Sequence, residues 1–262
     1  MQHQARKRFG QNFLRDHTVI DRIVRAVNPR PGERVVEIGP GLGALTGPLL
    51  QALGRLDVVE LDRDLIPHLQ EKFAAAGELR IHQADALRFD FRTLAGPDEA
   101  LRVVVNLPYN ISTPLIFHLI EQAGAIRDMH FMLQKEVVDR LAAASGTADY
   151  GRLSVMVQYY CKVERLFTVP PGAFRPVPKV DSAVVRLLPY REPPVRVDDA
   201  ECFARVVAQA FSQRRKTLRN TLRGMVAAET MTALDIDPGR RAETLSLGEF
   251  AALANAAGKS PG

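Results

Sequence analysis

A strand, a glycine-rich turn and a helix follow one another early in the chain, and this succession constrains the fold most. Arg34-Val35-Val36-Glu37-Ile38 is a short β-branched run of the kind found in buried parallel strands. Gly39-Pro40-Gly41-Leu42-Gly43-Ala44 follows it, and Leu45, Leu49 and Leu53 then recur at helical spacing. This arrangement is typical of α/β proteins that bind a nucleotide-containing cofactor where the first strand ends.

Polar side chains end the next three predicted strands. Leu56-Asp57-Val58-Val59 runs into Glu60, Leu79-Arg80-Ile81-His82 leads to Asp85, and Leu101-Arg102-Val103-Val104-Val105 ends at Asn106. Because the carboxyl ends of parallel strands share one edge of a sheet, these three side chains are expected on one rim. An acidic residue at the position of Glu60 suits ribose hydroxyls, and Asp85 suits the amine of a cofactor adenine.

The glycine-rich turn by itself fits two classes of cofactor. In a dinucleotide enzyme the glycines admit a pyrophosphate to the helix N-terminus. In an S-adenosylmethionine (SAM) enzyme they admit the methionine part, which carries no phosphate. The turn alone leaves both classes open.

The tetrapeptide Asn106-Leu107-Pro108-Tyr109 is a candidate target site. Asn106 offers a neutral amide oxygen, while Pro108 holds Leu107 extended and removes one backbone donor, so hydrogen-bond acceptors dominate locally. An exocyclic amine such as adenine N6 is a poor nucleophile because its lone pair is delocalised into the ring. Acceptors for both of its hydrogens favour the attacking geometry, and Tyr109 suits stacking on the base. The alternative is an ordinary strand end followed by a proline turn.

Five ordered motifs together resemble the rRNA adenine N6,N6-dimethyltransferase family. Four of them are Gly10–Leu14, Glu37–Gly43, Asn106–Tyr109 and Phe174–Ser182. The fifth, Phe211–Asn220, is most similar to bacterial members that act on small-subunit (16S) rRNA. The resemblance extends from about residue 6 to about residue 255. It implies SAM-dependent conversion of two adjacent adenosines to N6,N6-dimethyladenosine, in a hairpin near the 3′ end of 16S rRNA within the small (30S) subunit or its precursor, and a role in subunit biogenesis.

The resemblance also assigns roles to single residues. SAM would be held by Asn12, Leu14, Gly39, Gly41, Glu60, Asp85 and Asn106. The target adenine would be held by Asn106, Leu107, Pro108, Tyr109 and Phe174. Phe174 would cover the flipped base from the face opposite Tyr109. The alternative for Phe174 is that it only packs its proline-rich loop onto the core.

The net charge of +5 and the pI of about 9.4 suit an anionic partner. The surplus is concentrated in Arg6-Lys7-Arg8 and in one predicted helix over 214–228, which carries Arg214, Arg215, Lys216, Arg219 and Arg223. We interpret these residues as rRNA-binding, because phosphates would relieve the repulsion between like charges. A solvated helix face is the alternative.

The remaining composition points to a cytoplasmic protein. Two widely spaced cysteines give neither a disulfide framework nor a zinc site, and the histidines lack metal-ligand spacing, so no metal is expected. The N-terminus lacks an apolar signal region, and no run is long enough to span a membrane. We expect a soluble monomer without a membrane partner.

The order of strand and helix patterns predicts an α/β fold with a second, helical part. Strands are expected near 34–38, 56–60, 79–82, 101–105, 128–133, 163–168 and 180–188, and helices near 16–28, 44–54, 64–76, 112–122 and 135–144. By resemblance this is the Rossmann-like SAM-dependent methyltransferase sheet of seven mostly parallel strands. The pattern becomes wholly helical after the linker Pro189–Pro194, with segments near 199–212, 214–228, 229–235 and 246–257. We therefore predict a catalytic domain over 1–192 and a small all-helical rRNA-binding domain over 193–262.

Three other functions fit part of the sequence. A 23S rRNA adenine dimethyltransferase of the antibiotic-resistance type shares the first four motifs. The basic segment Arg214–Asn220 argues against that enzyme. A non-catalytic ribosome-assembly factor that binds immature small subunits is an alternative of a different class. A nicotinamide-dependent oxidoreductase fits only if the glycine-rich turn is considered alone.

Overall fold

The computed structural model describes residues 12–97, 99–107 and 111–258 of the 262-residue chain. Its residues group into two compact units. The first takes in the described residues up to Val138 together with Glu164–Pro189, and the second takes in Asp139–Val163 and the described residues from Tyr190 onward. The predicted domain boundary at 192/193 stays a prediction. It assigns Asp139–Val163 to the catalytic domain, whereas the structure groups these residues with the C-terminal ones.

Nine strands and ten α-helices lie within the described residues. The strands are β1 (Phe13–Leu14), β2 (Val35–Ile38), β3 (Arg55–Glu60), β4 (Glu78–Gln83), β5 (Leu101–Val105), β6 (Ile126–Gln134), β7 (Cys161–Val169), β8 (Phe174–Arg175) and β9 (Ser182–Pro189). The helices are α1 (His17–Val27), α2 (Thr46–Leu53), α3 (Ile66–Phe73), α4 (Ser112–Ile120), α5 (Lys135–Ala142), α6 (Arg152–Tyr160), α7 (Ala200–Ala210), α8 (Leu218–Thr221), α9 (Ala228–Ala233) and α10 (Leu247–Ala257).

Seven of the strands form one sheet in the order β4-β3-β2-β5-β6-β9-β7. The pairs β4/β3, β3/β2, β2/β5 and β5/β6 are parallel, and β6/β9 is antiparallel. The prediction of a mostly parallel, seven-stranded Rossmann-like sheet is confirmed. The strand order reverses between β2 and β5, which places the ends of these strands at the switch point where α/β sheets bind ligands.

The central strands are buried on both faces, as their apolar sequences predict. All residues of β2 and β5 are buried, including Glu37 and Arg102. Helix α1 packs its apolar face into the same core, and Asp16 caps it by accepting hydrogen bonds from the backbone N–H groups of Thr18 and Val19. The core therefore fixes the rim at which β2, β3 and β5 end.

The proline-rich segment contains a strand that the sequence does not predict. Phe174–Arg175 pairs antiparallel with Phe13–Leu14 in a separate two-stranded sheet, with Leu14 opposite Phe174. Next to this pair, the backbone N–H of Arg15 donates to the carbonyl of Ala173 at 2.8 Å. The two motifs that contain Leu14 and Phe174 are thus hydrogen-bonded to each other.

The second unit is mostly helical, and aromatic contacts fill its interior. The sequence predicts helices in it near 135–144 and from about 199 onward. The rings of Tyr159 and Phe203 lie 4.7 Å apart, and those of Phe211 and Phe250 lie 5.6 Å apart. Helix α6, which contributes Tyr159, is absent from the predicted elements. Asp199 caps α7, and a Ser246/Glu249 capping box begins α10.

The predicted helix over 214–228 is wrong. Between 214 and 227 only Leu218–Thr221 is helical, and Arg214, Arg215 and Lys216 lie in a turn before it. The backbone N–H groups of Leu218 and Arg219 donate to the carbonyls of Arg240 and Pro238, at 2.8 and 3.0 Å, instead of to the preceding helical turn. These non-local hydrogen bonds prevent one continuous helix, so the basic residues do not form a single helical stripe.

Among the described residues, no helix combines the length and the apolar composition that crossing a membrane requires.

Candidate cofactor and target site

The glycine-rich turn after β2 depends on glycine at two positions for both conformation and space. Gly39 and Gly43 have φ values of +70° and +78°, which residues with a Cβ rarely adopt. A Cβ on Gly39 would overlap the Leu107 side chain, and one on Gly43 would lie 2.5 Å from the Phe73 ring. The turn is therefore packed tightly between Leu107 and Phe73, the last residue of α3.

Two further contacts hold this turn in place. The Lys72 ammonium donates to the Leu42 carbonyl at 2.7 Å, so the last turn of α3 supports the glycine-rich segment. The Thr46 hydroxyl donates to Oε2 of Glu37 at 2.6 Å and joins α2 to β2. Burial lowers the pKa of Lys72, and the nearby Glu37 carboxylate opposes that shift.

Glu37 is a carboxyl group held inside the fold. It is 1% exposed, and its Oε1 has no hydrogen-bond partner among the described residues. Burial raises the pKa of Glu37 to about 7, against the opposing hydrogen bond from Thr46, and the Glu60 carboxylate raises it further. Glu37 therefore carries a proton over part of the neutral pH range.

Glu60 ends β3 beside the turn and is tied to the backbone around it. Its Oε2 accepts the Gly41 N–H at 3.3 Å, and its Oε1 accepts the Asp62 N–H at 2.8 Å. Burial raises the pKa of Glu60, while these two backbone hydrogen bonds lower it. The carboxylate is fixed in orientation and still borders both cavities described next.

The first cavity lies over the glycine-rich turn and holds about 670 Å³ of atom-free space, part of it open to solvent. Its lining combines polar groups with an apolar wall. The lining residues are Asn12, Phe13, Leu14, Gly39, Pro40, Gly41, Leu42, Ala44, Glu60, Asn106, Leu107, Met132 and Phe174.

The second cavity shares Gly39, Glu60 and Leu107 with the first. It is a mostly apolar slot with carboxylates at its border. Its other lining residues are Ile38, Val59, Leu61, Asp62, Ala84, Asp85, Ala86 and Ile111. Oδ1 of Asp85 accepts the Leu87 N–H at 3.0 Å, which orients this carboxylate.

The two cavities bring together the described residues that the sequence selects for cofactor and target. Asn12, Leu14, Gly41, Asn106 and Phe174 line the first, Asp85 lines the second, and Gly39, Glu60 and Leu107 border both. Pro108 and Tyr109 lie outside the described residues. The individual roles stay predictions.

Phe174 is buried, although it belongs to a proline-rich segment. It is 1% exposed and belongs to the same core cluster as Leu14 and Met132. It both packs β8 onto the core and borders the first cavity, so packing and contact with a base are compatible at this position.

Sequence reasoning misses Met132, Phe13 and Lys72 as parts of this site. Met132 lies in a strand that the sequence predicts, but only the pairing of β6 with its neighbours places it at the cavity. The alternation of side chains along β6 indicates which residues share a face of the sheet, but it does not indicate which strand pairs with β6. Lys72 and Phe13 reach the turn through non-local contacts.

The five basic candidates lie in the second unit and are all exposed. No acidic residue occurs in the sequence between Glu201 and Glu229, so this stretch has no local compensation of its positive charge. Arg214 donates from Nη2 to the Ala148 carbonyl at 3.1 Å, which anchors the turn that carries Arg215 and Lys216. Arg6-Lys7-Arg8 lies outside the described residues.

Comparison with known proteins gives consistent matches over the whole chain. The family model described as ribosomal RNA adenine dimethylase matches residues 2–259. The protein named ribosomal RNA small subunit methyltransferase A of Pseudomonas aeruginosa is 60% identical over 261 residues, which cover 100% of this chain and 97% of that protein. A protein of the same name from Chromohalobacter salexigens is 60% identical over 257 residues, which cover 97% and 91%.

Two crystal structures share the fold over most of their length. A dimethyladenosine transferase from Plasmodium falciparum matches with a TM-score of 0.77 at 25% identity, covering 92% of this chain and 95% of that one. The 23S rRNA methyltransferase ErmE matches with a TM-score of 0.73 at 28% identity, covering 95% and 100%. By sequence and by fold, the chain belongs to the ribosomal RNA adenine dimethylase family.

Proposed function

We propose that this chain uses SAM to dimethylate the N6 amines of two adjacent adenosines near the 3′ end of 16S rRNA. The chain is a SAM-dependent rRNA adenine dimethyltransferase, and the proposal concerns its target and the roles of its residues. One observation carries the assignment of roles: Asn106, which suits an amine, and the glycine-rich turn, which suits a cofactor, line the same cavity.

The residues of the two cavities fit SAM. Gly39 and Gly41 of the turn line the first cavity, and Glu60 at its edge presents a fixed carboxylate to ribose hydroxyls. The second cavity offers adenine a mostly apolar slot, with Asp85 as acceptor for the amine. We assign Asn12, Leu14 and Gly41 to the methionine part, in the first cavity.

When bound, SAM supplies a methyl group on a positively charged sulfur, and the N6 lone pair forms the new N–C bond while the C–S bond breaks and its electron pair stays on sulfur. The residues of the chain orient the amine. We assign the Asn106 amide oxygen and a carbonyl at Leu107 or Pro108 to its two hydrogens, Phe174 to one face of the base, and Tyr109 to the other. N6 attacks as a neutral amine and its proton leaves to water afterwards, so orientation and proximity supply most of the rate.

The small subunit is favoured over the large one as the source of the target. The relatives that match at about 60% identity carry small-subunit names, whereas the 23S enzyme matches at 28%. The exposed cations Arg214, Arg215, Lys216, Arg219 and Arg223 suit rRNA phosphates around the target hairpin. We place the reaction on the 30S subunit or its precursor, in the cytoplasm, with the enzyme acting as a monomer.

Nucleoside analysis tests this proposal. Small and large subunits that lack the modification are incubated separately with the protein and labelled SAM, and their rRNA is digested to nucleosides. We expect labelled N6,N6-dimethyladenosine in the small-subunit rRNA only. Label in the large-subunit rRNA would support the resistance-type enzyme instead, and binding to small subunits without label would support an assembly factor that does not catalyse.

A further inference from the structure

The dimethylation proposed above requires space in the cavity for the methyl group that N6 already carries during the second transfer. After the first transfer, N6 carries one methyl group and one hydrogen. The second transfer forms another N–C bond at the same nitrogen, so the amine must return to the same acceptors with a methyl group where a hydrogen lay. That methyl group cannot accept or donate a hydrogen bond, and it needs an apolar neighbour beside Asn106.

The register of the sheet identifies which side chain lies beside Asn106. Val105 pairs with Phe131 across the parallel strands β5 and β6, so the next residues, Asn106 and Met132, lie at the same level. Val104 pairs with His130, and alternation therefore directs Asn106 and Met132 to the same face of the sheet. Both line the first cavity.

Other apolar lining residues have different positions. Leu14 and Phe174 face each other in the separate two-stranded sheet, and Ala44 belongs to the glycine-rich turn. Leu107 packs on Gly39. Among the described lining residues, Met132 is the apolar side chain on the strand adjacent to Asn106.

Methionine has properties that suit this position. Its unbranched, polarisable side chain rotates about three bonds and adapts to a group that is absent in one step and present in the next. Met132 is 4% exposed, belongs to the same core cluster as Leu14, Val104, Phe174 and Val184, and lines the first cavity. A stiff, branched side chain at the same place would not yield in this way.

We infer that Met132 is a specificity-determining residue, whose side chain receives the N6-methyl group of the once-methylated adenosine and thereby permits the second transfer. This inference rests on the proposed dimethylation. It predicts that a change at Met132 slows the second methyl transfer more than the first. A change at a residue that only stabilised the fold would alter both rate constants alike.

Met132→Ile and Met132→Leu test the inference, with Met129→Ile as the matched control. Met129 lies in the same strand and is fully buried, but it pairs with Val103 and Leu187 on the opposite face and does not line the cavity. Rates of the first and second transfers are measured in single turnovers with small subunits. A poorly placed methyl group in an apolar pocket changes discrimination by roughly 10- to 200-fold.

We expect Met132→Ile to raise the ratio of the first to the second rate constant by at least about 10-fold, so that N6-methyladenosine accumulates. In a binding assay without SAM, Met132→Ile should weaken binding of RNA that carries N6-methyladenosine at both targets more than binding of unmodified RNA. Met129→Ile should keep the parent ratio in both assays. If Met132→Ile does not fold, Met132→Leu, which conserves volume, gives the same readouts with a smaller change.

Equal reduction of both transfers by the Met132 variants, an unchanged ratio, or the same accumulation with Met129→Ile would overturn the inference. A parent protein that makes no N6,N6-dimethyladenosine would overturn the proposed function, and the two failures are therefore distinguishable.

Discussion

The Thr46 hydroxyl donates a hydrogen bond to the Glu37 carboxylate at 2.6 Å and thereby joins α2 to the end of β2 across the glycine-rich turn. Its acceptor is a buried carboxyl group whose pKa burial raises to about 7. The turn that faces the first cavity is thus held in part by a group that titrates near neutral pH. This gives the stability of the protein a pH dependence with a predictable sign.

The parent protein should lose stability as pH rises through neutral, because Glu37 must then ionise in a buried place. We predict that Glu37→Gln removes this dependence on pH. The pKa of Glu37 rises from an ordinary 4.5 to about 7 on folding, so the folded state holds more protons between these values and the free energy of unfolding falls as pH increases through them. At about 1.4 kcal/mol per pKa unit, the shift corresponds to about 3 kcal/mol. Denaturant unfolding at pH 5 and pH 8 measures it.

The exposed residue Glu71 provides the control for this prediction. Glu71→Gln should leave the difference between pH 5 and pH 8 as in the parent, while Glu37→Gln should make the protein relatively more stable at pH 8. If both variants show the parent difference, Glu37 does not titrate in this range.

His130 is predicted to act in the opposite direction. Burial lowers the pKa of His130 to about 4, and the Asp128 carboxylate opposes that shift while Arg102 and Arg186 add to it. Because the unfolded chain takes up this proton near pH 6.5, stability is present above that pH and is lost as pH falls towards 4. His130→Gln should reduce the acid loss by about 3 kcal/mol. The same change at the exposed residue His68 should not alter the acid branch of the stability curve.

Asn106→Ala is expected to separate chemistry from binding. The change removes an acceptor for the target amine, and if orientation supplies several kcal/mol of the barrier reduction, the rate of methyl transfer falls by about 10²-fold or more. Binding to small subunits should persist. Single-turnover transfer and subunit binding are measured side by side, and turnover within a few-fold of the parent would refute the assigned role of Asn106.

Replacing Arg215 and Arg219 with Ala should weaken binding to small subunits and leave SAM affinity unchanged. The two residues lie in a turn and in the short α8, respectively, and both are exposed. If each contacts a phosphate, the slope of log affinity against log salt becomes flatter by about 1.4–1.8. Binding assays over a range of salt concentrations measure this slope.

Arg80 and Arg92 give a matched control of equal charge change. Both are exposed and each pairs with a neighbouring carboxylate, Glu78 and Asp90. Their replacement by Ala should not alter the slope. A loss of binding without a change of slope, together with a lowered melting temperature in the Arg215/Arg219 variant, would indicate that these residues act through folding.

The sequence is sufficient to predict the sheet and the edge of it that borders both cavities. Runs such as Val35–Ile38 and Leu101–Val105 are short, apolar and bounded by turn residues, and the polar residues after them border the cavities that the fold forms. Local patterns carry this information because parallel strands end on one side of the sheet.

Features that depend on distant contacts are the ones that sequence reasoning misses. The helix predicted over 214–228 is interrupted because Leu218 and Arg219 bond to carbonyls about twenty residues away. The pairing of Phe13–Leu14 with Phe174–Arg175 joins two-residue strands that have no periodicity of their own. The place of Met132 beside Asn106 follows from strand register, which a single sequence does not specify.

We propose that the enzyme places two methyl groups on each of two adjacent adenosines in small-subunit rRNA. The most direct measurement is mass spectrometry of the 3′-terminal rRNA fragment after exhaustive reaction of unmodified small subunits with SAM. We predict a gain of four methyl groups, confined to two neighbouring adenosines and abolished or greatly slowed by Asn106→Ala. Methyl groups on separated nucleotides, on large-subunit rRNA alone, or limited to one per adenosine at completion would contradict it.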